Sequence, residues 1–80
     1  MKVDSLRALI ADHLAVDVSL VRDEASFASD LGADSLDVIE LSMRFEEALN
    51  IPIDDHETDS CETVRDALDL VERKMMMQAA

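Results

Sequence analysis

Val3, Leu6, Ile10 and Leu14 recur every three to four residues, and this spacing predicts an amphipathic first helix from about residue 3 to about residue 14. Arg7 and Asp12 fall on its other face. From about Asp34 to about Asn50 apolar residues again follow a helical period, without proline and with many good helix formers, which predicts a second helix. The only glycine, Gly32, and the only proline, Pro52, bracket it. Asp54 to Asp59 has room for one or two helical turns. Val64, Ala67, Leu68 and Val71 predict a last helix from about Cys61 to about Lys74, with Arg73 and Lys74 where the helix dipole favours positive charge. The connection from Ala15 to Ala33 is long for a compact domain. Val16, Val18, Leu20, Val21, Phe27 and Leu31 are spread along it and can anchor it in a core. No strand-like alternation competes. The predicted fold is therefore all-α: a small four-helix bundle with three main helices, one short helix and a long first connection.

The second predicted helix has two apolar faces. At about 100° per residue from Leu36, Val38, Leu41, Phe45 and Leu49 fall between roughly 140° and 220°, a stripe suited to a core. Leu36, Ile39 and Met43 fall between roughly 300° and 360°, nearly opposite. Glu40, Glu46 and Glu47 flank this second stripe. In a chain too small to bury a helix on all sides, an apolar strip rimmed by carboxylates reads as a docking surface. Met43 suits it, because a flexible thioether repacks against different partners. The alternative is that Leu36 and Ile39 touch the long connection and Met43 is an isolated surface residue.

Composition narrows the picture. Eighty residues, 49% of them apolar and with only Phe27 and Phe45 aromatic, are enough for one small aliphatic core. We expect one domain over residues 1–80, the last few residues around Met75, Met76 and Met77 forming a disordered tail. Nineteen acidic and seven basic residues give a formal charge of -12, which argues against nucleic acid or an anionic membrane as a target and favours basic proteins. The single cysteine, Cys61, and the lack of a secretion signal point to the cytoplasm. No apolar run approaches the roughly twenty residues of a membrane-spanning helix, so membrane insertion is not expected.

Gly32 permits a tight turn, Asp34 can cap the orphan amides of the following helix, and Ser35 then falls on its first turn with an exposed hydroxyl. A phosphodiester there would meet helix amides and a favourable dipole, opposed by Asp34 and Asp37. Serine at a helix start is also an ordinary capping residue, and its position alone does not separate the two roles. The run Leu31-Gly32-Ala33-Asp34-Ser35-Leu36-Asp37, continuing through Glu40-Leu41, resembles the attachment motif of the acyl carrier protein family. The resemblance extends to Ala25-Ser26-Phe27, Ile53-Asp54 and Thr63-Val64. It implies that a phosphopantetheinyl transferase places 4'-phosphopantetheine from coenzyme A on Ser35, and that the arm's thiol carries acyl groups as thioesters. Ser35 would then be an acceptor and the chain no enzyme; nothing in the sequence sets a histidine and an acid beside it. The family's recognition surface maps onto Asp34, Leu36, Asp37, Ile39, Glu40, Met43 and Glu47, the stripe derived above, with Asp54 and Asp55 adding to it. The implied partners are the transferase and basic-surfaced acyl-processing enzymes such as synthases, reductases and transferases, met by a monomer in fatty acid, polyketide or specialised lipid biosynthesis. The family also implies that an acyl chain can fold back between the helices.

Other residues invite less. His56 departs from the richly acidic third helix of the family and reads as a solvated surface residue, and His13 as a boundary residue without a chemical role. Cys61 takes a position usually held by an aliphatic residue and reads as a small buried hydrophobe. Neither zinc nor calcium spacing is present, and no metal is expected. Two alternatives remain open: a peptidyl or aminoacyl carrier, which uses the same modified serine with a less acidic surface, and an unmodified acidic interaction module.

Overall fold

The computed structural model describes residues 3–79, with the side chains of Val3, Asp55, Gln78 and Ala79 outside the described set. Four α-helices follow one another: α1 (Val3–Leu14), α2 (Ser35–Leu49), α3 (Asp55–Asp59) and α4 (Val64–Ala79), with a 3-10 turn at Val18–Leu20 in the first connection. The expected four-helix, all-α architecture is present. Leu6 and Ile10 from α1, Leu41 and Phe45 from α2, and Val64, Leu68 and Val71 from α4 form the centre of the core. Val38 and Leu49 complete the inner stripe of α2 as half-buried residues packed against it.

α1 stops because Ala15 turns left-handed at φ 56. The amide of Val16 then donates to Ala11 O at 3.0 Å and that of Ala15 to Asp12 O at 3.4 Å, closing the last turn in a Schellman motif. α2 ends where Asn50 turns left-handed, at φ 54, a residue that tolerates this conformation better than most.

The long connection is held at many points. Arg7 reaches across from α1 to Val21 O at 2.8 Å and to the Asp23 carboxylate. Ser26 and Thr63 form an isolated antiparallel bridge, flanked by Phe27 N to Glu62 O and Val64 N to Ala25 O, both 3.0 Å. Val21, Ala25, Phe27, Leu31 and Ala33 are buried. Val18 and Leu20 are instead about half exposed, at 51% and 52%, because the 3-10 turn capped by Asp17 lifts them off the core.

α4 begins later and ends later than its periodicity predicts. The Asp66 carboxylate accepts hydrogen bonds from Glu62 N and Thr63 N, while Thr63 Oγ1 accepts from Asp66 N. These bonds fix Thr63 as the cap and exclude Cys61 from the helix. At the other end α4 runs on through Met75, Met76 and Met77, where the sequence leads one to expect a disordered tail. Met75 packs against the core, whereas Met76 and Met77 are exposed.

Candidate functional site

Asp34 stands just before α2 in extended backbone, and its carboxylate accepts the Asp37 amide at 2.8 Å. The Asp37 carboxylate accepts the Asp34 amide in return, at 3.2 Å, a reciprocal capping box. Ser35 is therefore the first helical residue, and it is exposed. Its hydroxyl is not the cap; Asp34 has that role. Gly32, at φ 68, makes the turn that brings the chain into the helix, and Ala33 is buried behind it.

Beside Ser35 lies an open cleft of about 350 Å³. Phe27, Ala33 and Val38 form its apolar wall, and Asp59, Cys61 and Glu62 close it from the α3–α4 side. A group esterified to Ser35 would thus have, for its phosphate, the first-turn amides of α2 that the capping box leaves unused, opposed by the Asp34 and Asp37 carboxylates, and an apolar wall for its extension. The residues present fit a phosphopantetheine arm.

The outer stripe of α2 starts at the same point. Leu36 is 60% and Met43 58% exposed, Ile39 is half-buried, and Glu40 and Glu47 are exposed. These residues form one face continuous with Ser35, as their spacing predicts. Asp54 is exposed but its carboxylate is engaged, accepting the His56 amide at 3.0 Å as the cap of α3. The Asp55 side chain lies outside the described residues. His56 is exposed.

Two neighbours of the site are not legible from local spacing. The His13 side chain is 12% exposed and lies between helices, with Nε2 3.9 Å from Glu40 Oε2 and Nδ1 3.4 Å from Arg44 Nη1. Arg44 also pairs with Asp12 at 3.2 Å, joining α2 to α1. Cys61 is half-buried, where its type leads one to expect full burial, because it lies on the cleft. Burial, with Asp66 adding to it, pushes its thiol up to about 11.

The family model described as "Phosphopantetheine attachment site" matches residues 4–71. The chain belongs to the acyl carrier protein family. It is 45% identical over 73 residues to the acyl carrier protein of Thermosynechococcus vestitus, covering 91% of this chain and 90% of that one. It is 48% identical over 67 residues to the acyl carrier protein of Porphyromonas gingivalis, covering 84% and 86% respectively. The crystal structure of the Thermotoga maritima acyl carrier protein superposes with a TM-score of 0.78 at 32% identity, covering 91% of this chain and 85% of that one. The chain is accordingly an acyl carrier with a covalently attached 4'-phosphopantetheine group. Membership implies interaction with a phosphopantetheinyl transferase and with acyl-processing enzymes. Among the described residues no helix is long and apolar enough to cross a membrane.

Proposed function

We propose that Ser35 is the attachment residue and that the acidic, apolar-centred face of α2 is where successive enzymes grip the carrier. The observation that carries this reading is the position of Ser35: exposed at the first turn of α2, at the mouth of an apolar-walled cleft and at the end of the Leu36–Met43 stripe. The transferase joins Ser35 Oγ to the phosphorus of the pantetheine phosphate in coenzyme A. The pyrophosphate bond breaks, adenosine 3',5'-bisphosphate leaves, and the hydroxyl proton passes to the transferase or to solvent. When bound, the group supplies a terminal thiol that holds acyl chains as thioesters. The chain itself provides presentation and no catalysis.

Leu36, Ile39 and Met43 supply apolar contact, and Asp34, Asp37, Glu40, Glu47, Asp54 and Asp55 supply the charge that steers basic-surfaced synthases, reductases and transferases. With a net charge of -12 on 80 residues, copies of this chain repel one another, which supports a monomer. We place it in the cytoplasm as a single carrier domain serving fatty acid biosynthesis. Incubation with coenzyme A and a phosphopantetheinyl transferase is expected to add one phosphopantetheine to the intact mass. The Ser35→Ala variant is expected to gain nothing; modification of that variant would overturn the assignment.

A further inference from the structure

Lys74 forms an ion pair unlike most others in the molecule. Its Nζ is 2.7 Å from Glu57 Oε1, and the two side chains are only 21% and 34% exposed. By contrast, Arg22–Glu24 and Arg65–Asp69 stretch to 3.6 and 3.9 Å with both partners mostly in solvent. Partly shielded, charge-assisted bonds of this length are the ones with measurable strength.

Glu57 is also the residue on which α3 depends. The same Oε1 accepts the Asp54 amide at 3.2 Å, closing the capping box at the head of α3. Glu57 O accepts the Ser60 hydroxyl at 2.7 Å and the Cys61 thiol at 3.5 Å. α3 has five residues, too few to hold a helix by backbone bonds alone. It depends on such contacts and on the burial of Thr58 and Ile53 beside it. Asp59, at its end, and Cys61 and Glu62, just beyond, form the wall of the cleft opposite Ser35.

We propose that Lys74 is a positioning residue that latches α3 to α4 and thereby sets how readily the cleft beside Ser35 widens to admit an acyl chain. The inference rests on Ser35 as the attachment residue only in naming the occupant. The latch itself is a property of the unmodified fold. An intact latch leaves the cleft at its present size and makes burial of a long chain compete with the Lys74–Glu57 bond. A broken latch lets α3 move away at lower cost.

The test is amide hydrogen exchange on the full-length apo protein, made in the Ser35→Ala background so that no arm can be attached. Lys74→Met keeps most of the unbranched apolar stem and removes the charged head. It is expected to speed exchange in α3 by about tenfold, while the α1 and α2 core amides change much less. Lys74→Arg is expected to restore the wild-type rates. Unchanged α3 exchange, or acceleration of all helices alike, would overturn the latch. If Lys74→Met does not fold, Lys74→Gln takes its place with the same criteria. In the acylated wild-type background, the rise in melting temperature from a short to a long acyl chain should be larger for Lys74→Met than for the parent. An equal rise would overturn the link to the cleft. Failure of the parent to be modified at all would count against Ser35 and leave the exchange result standing.

Discussion

Ser35 and Cys61 line one cleft, yet the surroundings give them different chemistry. The serine is exposed on the first turn of a helix, where a transferase can reach it. The thiol is half-buried, and burial together with Asp66 holds it up to about 11, so almost none of it is thiolate at neutral pH. In the Ser35→Ala protein, which lacks the proposed attachment residue and so a competing arm, Cys61 should react with an aromatic disulfide reagent at pH 8 at least about tenfold more slowly than free cysteine. A rate equal to free cysteine would show that the thiol is not shielded. Ser35 and the Leu36–Ile39–Met43 stripe were legible in the sequence because their arrangement follows from the pitch of one helix. The exposure of Cys61, the place of His13 beside Glu40 and the Lys74–Glu57 pair were not, because each depends on how separate helices meet.

Helix boundaries show where local signals suffice and where they do not. The start of α2 is marked by Gly32 and Asp34, whose roles follow from residue type. The start of α4 depends on Asp66 folding back onto the amides of Glu62 and Thr63, and apolar periodicity alone runs past this to Cys61. The extension of α4 to Ala79 follows from Met75 finding contact with the core, which no spacing rule supplies. Exposure of Val18 and Leu20 has the same kind of origin, since apolar residues in a long connection do not declare which of them reach the interior. Ala15 is a weakness in the design: its left-handed backbone at φ 56 costs a side-chain-bearing residue about 1 kcal/mol that glycine avoids, less the extra freedom glycine has when unfolded. Ala15→Gly is expected to leave the fold unchanged and to raise stability by about 0.5 kcal/mol in urea denaturation. Loss of stability would mean that the methyl group makes a contact worth more than the strain.

Across the molecule, charge acts in two opposed ways. The net charge of -12 repels itself in the compact state, so raising salt to about 0.5 M at neutral pH should raise the melting temperature. A melting temperature indifferent to salt would argue against this. Specific carboxylates work in the other direction. Hydrogen bonds hold several below the usual carboxylate range: Ser19 for Asp17, Arg7 for Asp23, Lys74 for Glu57, and the Glu62 and Thr63 amides for Asp66. A carboxyl lowered on folding adds stability that is fully present above its unfolded value and is lost as pH falls through its folded value. In high salt, where self-repulsion is screened and short-range bonds persist, the melting temperature should therefore fall steadily below about pH 5. A rise over that range would contradict the assignment of these bonds. The central claim, that this bundle exists to hold one group at the tip of α2, is tested most directly by fragmenting the protein after treatment with coenzyme A and a phosphopantetheinyl transferase. The added phosphopantetheine is expected on Ser35 and on no other hydroxyl. Its appearance on Ser26, Ser29 or any other residue, or an unmodified Ser35 after complete turnover of a known carrier in the same tube, would contradict it.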